Sequence, residues 1–422
     1  MLKNKRAVAS GLALIGALSL VASACGSKKK AADTTVAAAP DTTVAAATDT
    51  TVPAATDTTV VAAADTTVAA AAASATTVAA AGATTTVAGA AAAAGAGGKV
   101  GVILPDSKSS VRWETADRPF LEAAFKEAGV QYDIQNAEGD AAKMQTIADG
   151  MIAGGVKVLA IVNLDSDSGA AIEKKAADAG VKTIDYDRLT LKGSASAYVS
   201  FDNVKVGQLQ GEGLLKCLAD KKVNPASIIE LHGAPTDNNA TLFKQGYQTA
   251  IKAAVDSGAI KVVGEEAVPG WDNVKGGQIF EQLLTKAGGK IDGVLAANDG
   301  LGGAAIAVLK KNSLQVPVTG QDASVDGLKA VLAGDQCMTV YKAVKVQAAA
   351  AAAAAISLLK GEAPDTKGQV VNDGVRDVPA VLATPVAIYK ANVKDVITDG
   401  YQTKADVCTA DLAAACTAAG IA

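Results

Sequence analysis

The sequence predicts an α/β fold made of two doubly wound parallel-sheet domains. From Lys99 onward, short apolar segments of strand length alternate with amphipathic segments of helix length. This alternation is typical of a parallel sheet covered by helices on both faces. About ten such units follow one another, which is more than one sheet of ordinary width holds. The stretch from Lys99 to Ala422 is also long enough for two domains of typical size.

The elements can be assigned in chain order, because Val, Ile and Leu mark the strands and glycines end several helices. In the first half we predict strand 99–104, helix 115–128, strand 132–135, helix 141–153, strand 156–162, helix 168–179 and strand 181–186. In the second half we predict strand 227–231, helix 242–254, strand 260–263, helix 275–287, strand 293–296, helix 304–311, strand 316–319, helix 325–332, strand 338–341 and an alanine-rich helix 344–359.

The N-terminus has the layout of a secretory signal peptide. Lys3, Lys5 and Arg6 precede an apolar stretch that ends on small residues directly before Cys25. Residues 22–26, Ala-Ser-Ala-Cys-Gly, resemble a bacterial lipobox, in which the cysteine is lipidated and becomes the mature N-terminus. Ala22 stands where that motif usually has Leu. We expect a signal peptide at 1–24 and a lipid anchor on Cys25; the alternative is an uncleaved membrane anchor.

Residues 25–98 have a different composition from the rest of the chain. Asp-Thr-Thr-Val recurs there, starting at Asp33, Asp41, Asp49, Asp57 and Asp65, and Ala, Thr and Val dominate without any aromatic residue. Such a segment buries too little apolar surface to offset the entropy lost on ordering. We therefore expect a disordered tether.

Charge and cysteine content narrow the possible partners. The net charge is only −4 and the sequence has no basic cluster beyond residues 28–30, so nucleic acid is not expected as a partner. Besides Cys25 there are four cysteines, which allow up to two disulfides in three pairings: Cys217, Cys337, Cys408 and Cys416. Cys408–Cys416 is the first choice, because the segment between them can loop back. Without a Cys-x-x-Cys pair, no metal site and no cofactor are expected.

Polar residues follow most of the predicted strands, where parallel sheets bind their ligands. They include Asp106, Asn163, Asp185–Arg188, residues 233–239, Asn298, Asp299, Gln321 and Asp322. The two tryptophans, Trp113 and Trp271, lie in or beside these loops. Aromatic faces combined with convergent amide, carboxylate and guanidinium groups are typical of a sugar site.

Eight short blocks share an order with a known family. They are Arg-Trp at 112–113, Tyr-Asp-Arg at 186–188, Ser-Phe-Asp-Asn at 200–203, Asp-Asn-Asn-Ala at 237–240, Gly-Trp at 270–271, Asn-Asp at 298–299, Gly-Gln-Asp-Ala at 320–323 and Met-Thr-Val-Tyr-Lys at 338–342. Together they resemble the periplasmic binding proteins of sugar importers, specifically the D-xylose-binding branch. The resemblance implies two lobes, 99–204 with 343–382 and 205–342 with 383–422, joined by a three-stranded hinge around an enclosed sugar.

The resemblance also implies a set of ligand-binding residues. Arg112, Trp113, Asp187 and Arg188 come from the first lobe, Asp237, Asn239, Trp271, Asn298 and Asp322 from the second, and Lys342 from the last hinge crossing. Structural alternatives exist for several of them. Asp187 and Arg188 could pair with each other or with hinge backbone, Asp322 could cap a helix, and Trp113 could close a core edge. Of Asn298 and Asp299, one could cap the next helix while the other points inward.

These inferences predict a monomeric, exported lipoprotein that binds a monosaccharide, D-xylose or another pentose, and delivers it to the permease of an ABC importer. A hexose such as glucose or galactose, or a receptor-linked sensor role, is the alternative. Enzyme activity is not expected, because the sequence has neither a Gly-x-Ser-x-Gly elbow nor a phosphate-binding Gly-x-x-x-x-Gly-Lys-Ser/Thr loop. The single histidine, His232, ends a strand and is expected to be structural.

Overall fold

The computed structural model describes residues 98–421. The predicted signal peptide, Cys25 and, apart from Gly98, the predicted tether lie outside the described residues. None of the helices within 98–421 combines the length and apolar character needed to cross a bilayer.

The described part of the chain alternates strands and helices as predicted. The strands are β1 Lys99–Leu104, β2 Gln131–Asn136, β3 Val156–Ile161, β4 Lys182–Tyr186, β5 Ala197–Phe201, β6 Ala226–His232, β7 Ile260–Ala267, β8 Gly293–Ala296, β9 Thr339–Tyr341, β10 Val370–Asn372, β11 Asp377–Ala383 and β12 Val386–Ile388. The helices are α1 Arg118–Glu127, α2 Ala141–Ala153, α3 Ser166–Asp178, α4 Asn203–Asp220, α5 Asn238–Asp256, α6 Asn273–Lys286, α7 Asp299–Lys311, α8 Val325–Ala333, α9 Val344–Leu359, α10 Val393–Thr398, α11 Lys404–Val407 and α12 Ala413–Ala418.

These strands form two separate main sheets. The first has the order β10-β11-β5-β4-β3-β1-β2, and every neighbouring pair in it is parallel except β10 with β11. The second has the order β7-β6-β8 and is parallel, with a further bridge between Val294 and Val318. Strands β9 and β12 pair antiparallel beside it. We call the first sheet with α1–α3 and α9 the first lobe, and the remaining strands and helices the second lobe.

The chain passes between the lobes three times: from β5 into α4, from β9 into α9, and from β11 into β12. The predicted fold class, two doubly wound lobes joined by a three-stranded hinge, is confirmed. Helix α9 can lie flat on the first sheet because its buried face is alanine: Ala348, Ala351, Ala352 and Ala355 join the core that contains Phe125.

Close helix packing in the second lobe depends on glycine. Helices α4 and α5 are in extensive contact, and a Cβ at Gly207 of α4 would overlap the backbone carbonyl of Phe243 in α5. Gly246 of α5 meets the backbone of Val204 in the same way. These two glycines therefore allow the two helix backbones to approach closely.

Some predicted boundaries were wrong. The predicted helix 115–128 is α-helical only from Arg118, and the helical residues before it, Trp113–Asp117, form a π-helical turn. The predicted strand 316–319 is reduced to one bridge at Val318, since Pro317 has no N–H to donate to a ladder. Helix α7 begins five residues before the predicted Ala304, because the Asn298 side chain accepts a hydrogen bond from the backbone N–H of Leu301 and caps it.

The structure pairs all four remaining cysteines. Cys217 of α4 bonds to Cys337, with the two Cα atoms 6.4 Å apart. Cys408 bonds to Cys416, with a Cα separation of 5.9 Å. The chain turns between them through a 3₁₀ segment, Ala410–Leu412, so residues 408–416 are not one continuous helix.

Candidate ligand-binding site

A cavity lies between the lobes, at the carboxyl ends of strands from both sheets. All ten residues predicted to bind a ligand line it: Arg112, Trp113, Asp187, Arg188, Asp237, Asn239, Trp271, Asn298, Asp322 and Lys342. Its empty volume, which includes space open to solvent, is about 310 Å³. The structure thus brings the predicted residues together; that they contact a ligand stays a prediction.

Arg112 is held rigidly at the start of the π-helical turn. Its Nε and Nη2 donate to the two carboxylate oxygens of Asp117, both at 2.8 Å, and Nη2 also lies 3.1 Å from Asp187 Oδ2. Burial alone would lower the pKa of this guanidinium, but Asp117 and Asp187 outweigh burial and raise it well above its ordinary value. Nη1 is buried and has no hydrogen-bond partner within residues 98–421. This N–H group is therefore available to a ligand.

Asp187 follows β4 in the left-handed backbone region, with φ of 65°. Burial opposes its ionisation, but the positive charges of Arg112, Lys342 and Arg188 prevail and lower its pKa to about 2. Asn239 Nδ2, from the second lobe, donates to Asp187 Oδ1 at 3.0 Å. Asp187 is thus an acceptor that is ionised at neutral pH, at the junction of the two lobes.

Arg188 and Asp237 form an ion pair across the cavity. Arg188 Nε lies 3.0 Å from Asp237 Oδ2, and both side chains are buried. Asp237 also begins α5, where its Oδ1 accepts from the backbone N–H of Asn239. Trp271 Nε1 donates to the same Oδ2 at 3.1 Å. Arg188 therefore pairs with Asp237 of the second lobe, not with Asp187 as one alternative held.

Both tryptophans line the cavity, one from each lobe. Trp113 is buried in the first-lobe core and donates from Nε1 to Ser109 Oγ at 3.0 Å. The guanidinium of Arg112 lies 4.5 Å from the centroid of its ring. Trp271 packs edge-on against Phe243 in the second-lobe core. Each tryptophan is both a core residue and a cavity residue; that Trp113 contacts a ligand stays a prediction.

Asp322 does not cap the helix that follows it. Ser324 caps α8 instead, by accepting from the N–H of Gly327, while Asp322 has a φ of 102° and faces the cavity. Its Oδ1 lies 3.1 Å from Lys342 Nζ, and its Oδ2 accepts from Ser110 Oγ at 2.9 Å. Asn298 both caps α7 and donates from Nδ2 to the Ser109 carbonyl at 3.1 Å.

Asp299 points away from the cavity, although it adjoins Asn298. Its carboxylate accepts hydrogen bonds from Gln336, Thr339 and Ser324. Burial, the largest influence, raises its pKa to about 7 despite these bonds. The residue organises the loop between α7 and α8 behind the cavity wall.

Sequence reasoning missed four residues that line the cavity: Ser109, Ser110, Phe243 and Gln321. Gln321 was in a strand-end loop and in a recognised block, so its position was a usable signal. Its Oε1 is buried without a partner in the described part of the chain. Phe243 offered no such signal, because it lies on the core face of α5.

The charges that line the cavity balance. Three cations, Arg112, Arg188 and Lys342, face three carboxylates, Asp187, Asp237 and Asp322, and each carboxylate has a cation within 3.1 Å. A charged ligand would upset this balance in a buried site, where unpaired charge is costly. An uncharged ligand rich in hydroxyl groups would preserve it and could use the unpartnered Arg112 and Gln321 atoms.

Comparison with known proteins agrees with this geometry. A family model described as a periplasmic binding protein domain matches residues 100–363. The D-xylose-binding periplasmic protein of Escherichia coli (strain K12) is 36% identical over 312 residues, covering 73% of this chain and 92% of that protein. The multiple sugar-binding periplasmic receptor of Rhizobium radiobacter is 33% identical over 326 residues, covering 73% and 92%.

A solved structure is similar as well: the carbohydrate transporter solute binding protein of Chloroflexus aurantiacus in complex with D-glucose. It is 29% identical with a TM-score of 0.67, and the match covers 73% of this chain and 97% of that one. These findings confirm the resemblance predicted from the eight blocks. The chain belongs to the periplasmic binding protein family, in the group whose members include the D-xylose-binding and multiple sugar-binding proteins.

Proposed function

We propose that this protein captures a monosaccharide between its lobes and delivers it to the permease of an ABC importer. The relatives named above are solute-binding proteins, and a binding role needs no catalytic group. The observation that carries the proposal is the charge-balanced, buried cavity. Paired carboxylates and cations present fixed acceptors and donors to hydroxyl groups, while Trp113 and Trp271 offer ring faces to the C–H faces of a sugar.

Closure of the hinge is part of this proposal. Contacts between the lobes join Arg188 to Asp237, Ser110 to Asp322 and the Ser109 carbonyl to Asn298. Groups from both lobes are needed to satisfy the hydroxyls of one small ligand. Ligand binding therefore favours the arrangement in which the two halves of the site meet.

D-Xylose or another pentose is the ligand we infer. Two curated D-xylose-binding proteins, of E. coli and Haemophilus influenzae, are 36% and 34% identical to this chain. Fourteen residues line the cavity and six of them are charged, and so dense a lining favours a sugar without an exocyclic hydroxymethyl group.

A hexose ligand and a receptor-linked role form the second candidate. The structural neighbour at 29% identity holds D-glucose, and the R. radiobacter relative is named a multiple sugar-binding receptor. These names favour a broader sugar range and contact with a sensor, in addition to an importer.

The cellular setting belongs to the same proposal. Export, cleavage before Cys25 and lipidation of that cysteine would hold a monomeric protein on the outer face of the cytoplasmic membrane, where two or more acyl chains give firm anchoring. Residues 25–98 would tether the two lobes, and the lobe boundaries at 204/205, 342/343 and 382/383 would mark the hinge crossings.

Titration calorimetry tests which sugar the protein binds. Purified protein is titrated with xylose, arabinose, ribose, glucose and galactose. We expect xylose or another pentose to bind at least ~10-fold more tightly than either hexose. One extra group on a ligand in a close-packed site changes the binding free energy by about 1–3 kcal/mol. Tighter binding of glucose would replace the pentose with the hexose candidate. If none of the five sugars bound, the sugar-binding proposal would be contradicted.

A further inference from the structure

A second polar cluster lies in the second lobe, outside the sugar cavity. Glu230 and His232 of β6 and Glu265 of β7 each direct one ligand-type atom to a common point, and these three atoms all lie within 4.8 Å of one another. His232 Nε2 is 3.0 Å from Glu265 Oε2 and 3.9 Å from Glu230 Oε2. Two carboxylates and one imidazole in this arrangement are a set of divalent-metal ligands.

Glu230 points independently to a bound cation. Its side chain is 1% exposed, and its Oε2 has no hydrogen-bond partner among the described residues. A buried carboxylate oxygen without a partner is unfavourable. A metal ion between Glu230, His232 and Glu265 would remove this deficit.

His232 has the hydrogen bond that a metal-binding imidazole needs. Its Nδ1 contacts the hydroxyl of Tyr247, a buried residue of α5. A tyrosine hydroxyl can donate or accept, so it supports either tautomer of the ring. When Tyr247 accepts from Nδ1–H, the Nε2 lone pair faces the two carboxylates and is free to bind a metal.

Lys244 competes for the same position. Its Nζ lies 2.9 Å from Glu265 Oε2, where it partly neutralises the cluster. The Lys244 side chain is 36% exposed and Glu265 is 50% exposed. The lysine can therefore move into solvent, and Glu265 can turn toward the ion.

We propose that Glu230, His232 and Glu265 form a site for a divalent transition-metal ion, Zn²⁺ foremost, with water as the fourth ligand. The mixture of imidazole and carboxylate ligands suits Zn²⁺ better than Ca²⁺ or Mg²⁺, which take oxygen ligands. This proposal departs from the sequence-based expectation of no metal site, because its three ligands come from two strands and include no cysteine. The metal would join β6 to the edge strand β7.

Titration calorimetry of the full-length chain, freed of metal with a chelator, tests the proposal with Zn²⁺. We expect one ion per chain. Glu265→Gln and His232→Gln should each weaken binding by at least ~10-fold, since loss even of an outer-shell partner lowers metal affinity about 10–100-fold. Glu266→Gln is the matched control, because it removes the same charge from the next residue of β7, outside the ligand set. Its affinity should stay within about twofold of wild type.

Lys244→Met should change the Zn²⁺ affinity in the direction opposite to Glu265→Gln and His232→Gln. Removing the competing ammonium should tighten Zn²⁺ binding. Co²⁺ absorption of the same variants reports whether imidazole nitrogen is a ligand, and circular dichroism checks their folding. Equal Zn²⁺ affinity of wild type, Glu265→Gln and His232→Gln would overturn the proposal, as would no measurable binding by wild type.

Discussion

Arg188 Nε lies 3.0 Å from Asp237 Oδ2, and this ion pair joins the two lobes in a buried position. The same carboxylate accepts a hydrogen bond from Trp271 and begins α5. One aspartate thus connects a guanidinium of the first lobe, a tryptophan of the cavity wall and the start of a helix. A substitution of Asp237 should therefore affect ligand binding and lobe closure together.

Asp237→Asn should weaken sugar binding by about 2–5 kcal/mol, roughly 30-fold to several thousand-fold, because Arg188 loses its buried counter-charge. Calorimetry with xylose measures the loss. Asp149→Asn is the control: its ion pair with Lys175 is half-exposed, and such pairs contribute about 0–1 kcal/mol. Wild-type affinity in Asp237→Asn would show that Arg188 finds another partner and that this pair does not form the site.

Asp322→Ala tests a second ion pair that lines the cavity, Asp322 with Lys342. Lys342 would lose its carboxylate and Ser110 its acceptor, so we expect affinity for the sugar to fall by about 2–5 kcal/mol. Asp326→Ala, an exposed change four residues further along, should leave affinity unchanged. If both variants bound every sugar as well as wild type, the assignment of Asp322 to the site would be wrong.

Trp271→Phe separates stacking from hydrogen bonding. The phenyl ring keeps an aromatic face but loses the bond from Nε1 to Asp237, so we expect a loss of about 0.5–1.5 kcal/mol in sugar affinity. Trp271→Ala should weaken binding further, and it should also destabilise the fold, because Phe243 and Gly233 pack directly against the indole. Thermal unfolding without ligand distinguishes these two effects.

The sequence predicted the site better than it predicted the elements around it. Strand-end position and block resemblance identified Arg112, Asp187 and Asp322 as cavity-lining residues, because the loops after parallel strands meet at one edge of a sheet. Local patterns gave no indication of the π-helical turn at Trp113–Asp117, in which Trp113, Ala116 and Asp117 are buried. Cross-lobe partners such as Asn239 for Asp187, 52 residues apart, also depend on three-dimensional proximity.

Acid should remove part of the stability that Asp187 provides. Because its pKa is lowered to about 2 in the fold, its contribution is present above about pH 4 and is lost as the pH falls from about 4 toward 2. A shift of about two units corresponds to about 2–3 kcal/mol. Urea unfolding of wild type and Asp187→Asn should therefore differ more at pH ~5 than at pH ~2.5. A difference that is the same at both pH values would show that Asp187 does not titrate in this range.

The C-terminal segment should contribute to the site through the loop that carries Asp322. Tyr401 packs against Tyr341 with ring centroids 5.2 Å apart, and Gln402 Nε2 donates to the Ala323 carbonyl at 3.3 Å. Asp322 and Ala323 both have positive φ, 102° and 48°, a conformation that non-glycine residues hold only under constraint from their surroundings. The segment therefore supports a strained turn at the cavity wall.

Opening the Cys408–Cys416 bond by a double Cys→Ser change should reduce the free energy of unfolding. The bond links two cysteines eight residues apart in sequence, and the chain-entropy model gives about 2–3 kcal/mol for such a loop.

Gln402→Ala, which leaves the disulfide intact, should lower sugar affinity by about 0.5–1.5 kcal/mol, because the Ala323 carbonyl loses its donor and the turn that orients Asp322 relaxes. Gln369→Ala is the control, since Gln369 bonds to Leu382 on the far edge of the first sheet. Equal xylose affinities of Gln402→Ala and Gln369→Ala would show that the C-terminal segment stabilises the second lobe without orienting Asp322.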